Sequence, residues 1–182
     1  MAQWDDTAID WYAENFGEDI SNQWVMDVAA IAAGEDVLDI GCGTGAALRL
    51  VESHAGRLVG VDPFARMIDH AKAATASGSK IEFFVAAGEA LPFGDDRFDV
   101  VTLINVVHHL ENADKGLAEA ARVLRPLGRL VIGGEVFGES ALPDGQAYDA
   151  PLAALGFGDI RTTVVADGDG FVTIATKGKR DV

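Results

Sequence analysis

An apolar segment that runs directly into a glycine-rich turn constrains the fold of this chain most strongly. Residues 37–45 read Val-Leu-Asp-Ile-Gly-Cys-Gly-Thr-Gly, and residues 46–51 continue with a helical pattern. Apolar residues through Ile40 are typical of a buried parallel strand, and glycines permit positive φ and close approach of a ligand to the backbone. The free N–H groups at the start of the helix would face that ligand. The segment therefore predicts a strand–turn–helix unit for a nucleotide-like ligand, and taken alone it also fits a dinucleotide-binding turn.

The rest of the chain alternates helix and strand patterns. A helix is predicted at 20–33, with Trp24, Val28 and Ile31 on one face and Gly34 as its stop. Further helices are predicted at 65–76 and at 148–155. Another helix is predicted around Leu117, Ala121 and Leu124, with Pro126 and Gly128 as its end. Strands are predicted at 58–62, 81–85, 98–104, 129–135, 160–166 and 171–176. This order predicts an α/β fold, a three-layer αβα Rossmann-like sandwich with a mostly parallel sheet. The turn Asp-Gly-Asp-Gly at 167–170 predicts a closing antiparallel hairpin.

Composition and charge limit the classes of function. A chain of 182 residues with 49% apolar residues is expected to form a single domain over 1–182. No apolar run approaches the roughly 20 residues of a membrane span, and the acidic start is unlike a signal peptide, so a cytoplasmic location is expected. A formal charge of −15 disfavours nucleic acid as a partner. Cys42 is the only cysteine, which excludes an internal disulfide and makes a cysteine-based metal site unexpected.

Polar residues follow the ends of the predicted strands, where parallel sheets bind ligands. Asp39 lies within the first strand, Asp62 ends the second, Glu89 follows the third and Asn105 follows the fourth. Asp62 stands about 20 residues beyond the glycine turn, the spacing at which a carboxylate accepts hydrogen bonds from ribose hydroxyls. Its alternative role is a cap for the helix that begins near Pro63.

Four ordered motifs resemble the class I S-adenosylmethionine-dependent methyltransferases, in particular the type 11 or UbiE-like group. Residues 37–45 resemble the first motif of that family, and Val-Gly-Val-Asp-Pro-Phe-Ala-Arg-Met at 59–67 resembles its acidic second motif. Residues 86–93 with 98–101 resemble the third segment and fourth strand, and residues 122–128 resemble the turn before the fifth strand. The resemblance implies a seven-stranded sheet of order 3-2-1-4-5-7-6 and transfer of the methyl group of S-adenosylmethionine to a small-molecule acceptor.

The resemblance also implies a role for each cofactor residue. Asp39 would hold the amino group of the methionine moiety, Asp62 the ribose, and Gly88 a ring nitrogen through its backbone N–H, while Asn105 would hold the methionine moiety through its carbonyl. Phe64 and Met67 would flank the adenine. The whole implied site is Tyr12, Asp39, Gly41, Cys42, Gly43, Gly45, Asp62, Pro63, Phe64, Met67, Ala87, Gly88, Glu89, Asn105 and Val106.

This chain departs from the family pattern at two positions. Ala87 stands where the family often has an aspartate that contacts the adenine amino group, and Glu89 is either a substitute for that aspartate or an exposed loop acid. Leu127 replaces a usual glycine and concerns the turn rather than the ligand.

Catalysis by such a protein requires mainly positioning, because a sulfonium methyl group transfers to a lone pair without acid assistance. A base is needed only where the nucleophile must lose a proton, and His108 is the candidate, although the pattern favours a structural role for both His108 and His109. No metal site is expected from this pair with Glu111.

The N-terminal residues 1–34 are interpreted as a helical lid over the cofactor. Four aromatic residues, Trp4, Trp11, Tyr12 and Phe16, precede the first strand, and Tyr12 is the preferred contact to the cofactor. Alternatively these rings attach the N-terminal helix to the sheet. The short insertion at 136–147 predicts no cap domain there, so the acceptor site would be open in a monomer or completed by a second subunit in a homodimer.

Two other functions remain compatible with the motifs. An NAD-dependent oxidoreductase shares the glycine turn and Asp62, but it does not explain residues 88–93 or the closing hairpin. A catalytically silent cofactor-binding sensor, or a subunit that activates a partner enzyme, would retain the fold and the cofactor motifs.

Overall fold

The computed structural model describes residues 4–135 and 148–179. Six α-helices, two short 3₁₀ helices and seven strands lie in these ranges. The helices are α1 (Asp6–Phe16), α2 (Ser21–Ala29), α3 (Ala46–Val51), α4 (Ala65–Ala74), α5 (Ala113–Val123) and α6 (Asp149–Ala154). The strands are β1 (Val37–Ile40), β2 (Leu58–Asp62), β3 (Ile81–Val85), β4 (Phe98–Ile104), β5 (Leu124–Glu135), β6 (Phe157–Val165) and β7 (Gly170–Lys177). The insertion predicted to be short and uncapped, 136–147, lies outside the described residues.

The seven strands form one sheet of order β3-β2-β1-β4-β5-β7-β6, which confirms the predicted fold class and strand order. β1 pairs in parallel with β2 and β4, and every residue of β1 is buried. β7 is antiparallel to both β5 and β6, so the closing hairpin is also confirmed. The carboxyl ends of β1, β2 and β4 therefore meet at one edge of the sheet, where their polar residues come together.

Helix α2 differs from the helix predicted at 20–33. It ends at Ala29 because Ala30 adopts the left-handed conformation with φ 48°, and Ile31 lies beyond the helix. Its buried face carries Val25, Met26 and Ala29, and the predicted face residues Trp24 and Val28 are only half-buried. The prediction was wrong because the sheet selects the buried face, and alanine is not a residue that signals a left-handed helix end.

The connection from α5 to β5 also differs from the prediction. Leu124 directly follows the helix and begins the strand, so neither Pro126 nor Gly128 ends the helix, and β5 starts five residues before the predicted 129. Leu127 has a φ of 67° and a 57% exposed side chain, and a positive φ is a conformation that glycine adopts more readily than leucine. The other boundaries shift by a few residues: α4 ends at Ala74 rather than 76, and β6 begins at Phe157 rather than 160.

Helix α1 is attached to both α4 and the glycine turn. The Asp10 carboxylate accepts hydrogen bonds from Arg66 Nε at 2.7 Å and Nη2 at 2.9 Å, and its Oδ1 lies 2.7 Å from His70 Nε2. These two partners lower the pKa of Asp10 to about 2. At the other end, Thr44 Oγ1 donates to Gly17 O at 2.5 Å. The α1 segment therefore lies over the edge of the sheet where the polar strand ends meet.

The described helices are short, and none within 4–135 or 148–179 combines the length and apolar character that crossing a bilayer requires.

Candidate functional site

The glycine turn between β1 and α3 has the geometry of a ligand cradle. Gly41, Gly43 and Gly45 all have positive φ, at 70°, 52° and 77°. A Cβ atom added to Gly41 would lie 2.0 Å from Val106 Cγ2, and one added to Gly45 would lie 2.7 Å from the Phe83 ring. A Cβ atom on Gly43 would meet nothing within 4 Å. Gly41 and Gly45 are thus required by packing, whereas Gly43 faces open space that a ligand can occupy.

Asp62 joins the end of β2 to this turn. Its Oδ2 accepts the Gly43 N–H at 3.3 Å, and its Oδ1 accepts the Phe64 N–H at 3.0 Å. Phe64 immediately precedes α4, so Asp62 satisfies a backbone donor at the helix entry as well as one in the turn. The carboxylate is only 7% exposed, and burial raises its pKa to about 6. Pro63, the next residue, is exposed.

Asp39 and Cys42 lie beneath the turn with their side chains buried. Thr102 Oγ1 of β4 donates to Asp39 Oδ1 at 2.6 Å. Burial raises the pKa of Asp39 to about 7, and the nearby Asp62 raises it further. Burial likewise raises the pKa of the Cys42 thiol, which packs against Gly60 of β2. Asp39 and Asp62 are thus two buried carboxyl groups whose charged forms are unfavourable. A cationic ligand in the cradle would stabilise those charged forms.

The stability of the protein without ligand is expected to fall as the pH rises from about 4 to about 7. Asp39 and Asp62 have higher pKa values in the folded protein than in the unfolded chain, so the folded state binds more protons over this range. Melting temperatures of the wild type and of Asp39→Asn, measured from pH 5 to pH 8, test this. The introduced amide retains an acceptor oxygen for Thr102, so the variant should gain stability relative to the wild type as the pH rises. A difference that does not change with pH would contradict the raised pKa of Asp39.

Asn105 connects three elements at the end of β4. Its Nδ2 donates to Ser21 Oγ of α2 at 3.0 Å, and its Oδ1 accepts the Glu135 N–H of β5 at 2.9 Å. Asn105 has a φ of 55°, and a Cβ atom on Gly134 would lie 1.8 Å from Asn105 Oδ1. The side chain is therefore committed to holding the backbone of Asn105 in place at the edge of the cradle.

The segment after β3 offers a ligand backbone groups rather than a polar side chain. Gly88 is buried, and a Cβ atom there would lie 2.9 Å from Ile40 Cγ2 and 3.0 Å from Leu110 Cδ2. Ala87 is exposed beside it. Glu89 Oε1 accepts the Asn112 N–H at 3.2 Å at the start of α5. The Glu89 carboxylate thus has a structural partner in this protein.

The N-terminal aromatic residues divide into two groups. Trp4 packs edge-on against Tyr12 at 5.3 Å and against His109 at 5.9 Å, and it lies 6.1 Å from the Phe64 ring. Tyr12 is half-buried, and its pKa is raised by burial and by the carboxylates of Asp19, Glu135 and Asp62. Trp11, in contrast, is 58% exposed on the outer side of α1.

Of the remaining predicted residues, Phe16 is 43% exposed and its ring stacks on Tyr12 at 5.6 Å, and Met67 is buried in α4.

Two cavities lie along the carboxyl edge of the sheet, and Asn105 lines both. A narrow cleft of about 40 Å³ runs between the glycine turn and the α1–α2 connection, where Tyr12, Asp19 and Ser21 line it. A larger cavity of about 310 Å³ lies at the ends of β4 and β5. The larger one is lined by residues 103 and 105–108, by 132, 133 and 135, and by Tyr148 and Phe171.

His108 and His109 form one turn of 3₁₀ helix after β4. His108 lines the larger cavity while its side chain is also exposed to solvent. The His109 ring lies 4.0 Å from the His108 ring, and burial together with His108 lowers the pKa of His109. Within the described ranges, no three histidine, cysteine or acidic side chains are grouped to hold a metal ion.

Several residues that build this site were not predicted from the sequence. Thr102 and Ser21 are buried partners of Asp39 and Asn105, and Glu135, Tyr148 and Phe171 line the larger cavity. No local motif marks them, because each acts through a contact with a residue far away in the chain. The one available signal for Glu135 was its position at the end of a predicted strand.

Comparison with known proteins identifies the class to which this fold and cradle belong. Residues 38–132 match the family model described as "Methyltransferase domain". An O-methyltransferase of Aspergillus nomiae is 30% identical over 158 residues, which cover 75% of this chain and 70% of the relative. The chain belongs to the methyltransferase domain family, with the fold of the class I S-adenosylmethionine-dependent enzymes.

Two further matches agree with this assignment. The demethylmenaquinone methyltransferase of Tropheryma whipplei is 37% identical over 102 residues, which cover 56% of this chain and 42% of that relative's length. The crystal structure of an S-adenosylmethionine-dependent methyltransferase from Aquifex aeolicus superimposes with a TM-score of 0.77 at 19% identity, over 96% of this chain and 99% of that one. The match to the quinone enzyme thus covers less than half of its length, and the likeness to the Aquifex protein concerns the fold.

Proposed function

We propose that the protein binds S-adenosylmethionine in the cradle and transfers its methyl group to a small molecule held in the larger cavity. The proposal rests on the contact between the two family motifs. The Asp62 carboxylate accepts a hydrogen bond from the backbone N–H of Gly43, and the space beside Gly43 is open. A ribose bound there would lie against both the carboxylate and the bare backbone. A dinucleotide enzyme would share this junction, but family membership favours the methyl donor.

The residues around the cradle suit a ligand with positive charge. Asp19, Asp62 and Glu135 all act on the pKa of Tyr12, and Asp39 lies below the turn. S-adenosylmethionine carries an ammonium and a sulfonium, and both would be attracted to this region. Gly41–Gly45 would pack against its methionine and ribose portions, with Asp39 toward the amino group and the Asn105 carbonyl toward the methionine.

The adenine would lie between the end of β2 and the segment after β3. Phe64 and Met67 would flank the ring, the Gly88 N–H would donate to a ring nitrogen, and Ala87 would leave the adenine amino group without the usual carboxylate. Cys42, Pro63 and Val106 would contribute backbone or apolar contacts.

Helices α1 and α2, within the N-terminal residues 1–34, would act as the lid of a single catalytic domain. Trp4 and Tyr12 support this role, because the Trp4 ring, just before α1, packs against both the Tyr12 ring and the Phe64 ring. The Asp10 contacts to Arg66 and His70 would hold the lid against α4.

The reaction itself depends on how the chain positions the two reactants. When bound, S-adenosylmethionine supplies a methyl group whose sulfonium sulfur leaves as a neutral thioether when a lone pair attacks the methyl carbon. Asn105 lines both the cleft at the glycine turn and the larger cavity, and residues 105–108, which line the larger cavity, would set the line of attack. His108, which lines that cavity and reaches solvent, is the proposed base for an acceptor that must lose a proton.

Ligand-induced stabilisation tests this proposal. S-adenosylmethionine and S-adenosylhomocysteine at 100 times their Kd are each expected to stabilise the protein by about 2.7 kcal/mol, which raises the melting temperature by roughly 5–10 °C. NAD and NADP at equal concentration should leave the melting temperature unchanged. Stabilisation by NAD and not by S-adenosylmethionine would refute the proposal.

A further inference from the structure

The larger cavity has a lining that restricts the chemistry of the acceptor, and the inference drawn from it rests on the proposed function. Its interior is apolar, with Leu103 and Ile132 buried at the base. Tyr148 and Phe171 stack at 6.2 Å with an interplanar angle of 21° and form one wall. Glu135 and His108 are its other ionisable lining residues. A volume of about 310 Å³ lies at the low end of the range for small-molecule sites.

The charge of this lining disfavours an anionic acceptor. Neither lysine nor arginine is among the described residues that line the cavity, whereas the Glu135 carboxylate is. Burial raises the pKa of Glu135, and the nearby carboxylates of Asp19 and Asp169 raise it further. A phosphate or carboxylate acceptor would meet repulsion without a balancing contact.

The Glu135 carboxylate also distinguishes a cationic acceptor from a neutral one. Its backbone is held by Asn105, so the side chain begins from a fixed point at the cavity rim. Within 4–135 and 148–179, no ion pair engages this half-buried carboxylate. An unpaired, partly buried charge is costly, and an ammonium group would offset that cost by pairing and hydrogen bonding. A cationic or amphipathic amine can also lie against the faces of an aromatic wall.

We infer that the acceptor is a small basic amine, whose ammonium group pairs with Glu135 and whose apolar part lies against Tyr148 and Phe171. The ammonium releases one proton to the imidazole of His108, which passes it to solvent. The freed nitrogen lone pair forms the N–C bond to the methyl group as the C–S bond breaks, and the electron pair of that bond stays on sulfur. The products are the methylated ammonium and S-adenosylhomocysteine.

Binding to the protein saturated with S-adenosylhomocysteine tests the inference without requiring turnover. Two matched sets are titrated: 2-phenylethylamine, 2-phenylethanol and phenylacetate, and hexylamine, hexanol and hexanoate. In at least one set the amine is expected to bind about tenfold or more tightly than its alcohol and its carboxylate. The inference is overturned if in neither set the amine binds more tightly than both its alcohol and its carboxylate, or if neither amine binds.

The variant Glu135→Gln isolates the role of the carboxylate. It should weaken amine binding about tenfold while S-adenosylhomocysteine still stabilises the protein. Asp169→Asn is the matched control, since it removes an equal charge that acts on Glu135 from outside the cavity lining, and it should change amine binding less than threefold. Equal losses in the two variants would show a general field effect and overturn the pairing with Glu135. Failure of S-adenosylhomocysteine to stabilise even the wild type would instead refute the proposed function.

Discussion

Asp62→Ala is expected to weaken S-adenosylmethionine binding about 10- to 100-fold. The carboxylate would accept the hydrogen bonds of the ribose hydroxyls, and hydrogen bonds to a charged group contribute about 1.5–3 kcal/mol. The substitution also releases the Gly43 N–H and Phe64 N–H, so the turn loses the bond that ties it to β2. Calorimetric titration of the variant with S-adenosylmethionine measures the loss directly.

Two controls separate ribose recognition from general damage. Asp62→Asn keeps an acceptor oxygen of the same shape and should lose less affinity than Asp62→Ala. Asp69→Ala removes an exposed aspartate from the adjoining helix α4 and should leave the affinity unchanged. The assignment of Asp62 to the ribose fails if Asp62→Ala binds as tightly as the wild type.

Gly43→Leu is expected to abolish detectable binding of S-adenosylmethionine, a loss of about 100-fold or more, equivalent to about 2.7 kcal/mol. The side chain would project into the open space beside the turn, where the ligand is proposed to lie. The fold should survive, because an added Cβ atom meets nothing within 4 Å and the left-handed backbone costs only about 1–2 kcal/mol. Titration calorimetry and a melting curve report the two effects separately.

The chain provides a matched control for the backbone strain. Gly34 has a φ of 84° and equally open surroundings, but it lies before β1 and away from the cradle. Gly34→Leu should lower the melting temperature about as much as Gly43→Leu while S-adenosylmethionine still binds. Gly41→Ala has a different effect, since its Cβ atom would lie 2.0 Å from Val106 Cγ2 and should destabilise the fold itself. Wild-type affinity in Gly43→Leu would mean that the ligand does not pack against this glycine.

The predicted elements succeeded where the local pattern was strong and failed where the backbone conformation went against the residue type. The boundaries of β1, β2, β3, β4 and α3 agree with the prediction, because short runs rich in apolar residues and bounded by glycine or polar residues leave little choice. Ala30, which follows the end of α2, and Leu127, near the start of β5, are non-glycine residues in the left-handed conformation. Both are exposed, and neither alanine nor leucine favours this conformation, so the residue types do not signal it.

The candidate site shows the same division. The glycine turn and Asp62 were predicted from a spacing of about 20 residues, and the structure brings them into hydrogen-bond contact. Of the three glycines, only Gly43 faces open space. This difference depends on Val106 and Phe83, which approach the turn from other strands and turns. Ala87 and Glu89 were singled out by comparison with the family pattern, but the bond from Asn112 to Glu89 appears only in the folded chain.

The sequence by itself determined the sheet and the glycine turn, because apolar periodicity, glycines and one acidic residue act through local geometry. Only the tertiary structure decided which residues line the larger cavity. Asn105 reaches Ser21 across 84 positions of the chain and Glu135 across 30, and the cavity brings His108 together with Tyr148 and Phe171. The physical reason is that the charge and shape of a cavity are properties of groups that meet only after folding, and their separation along the chain leaves no local pattern.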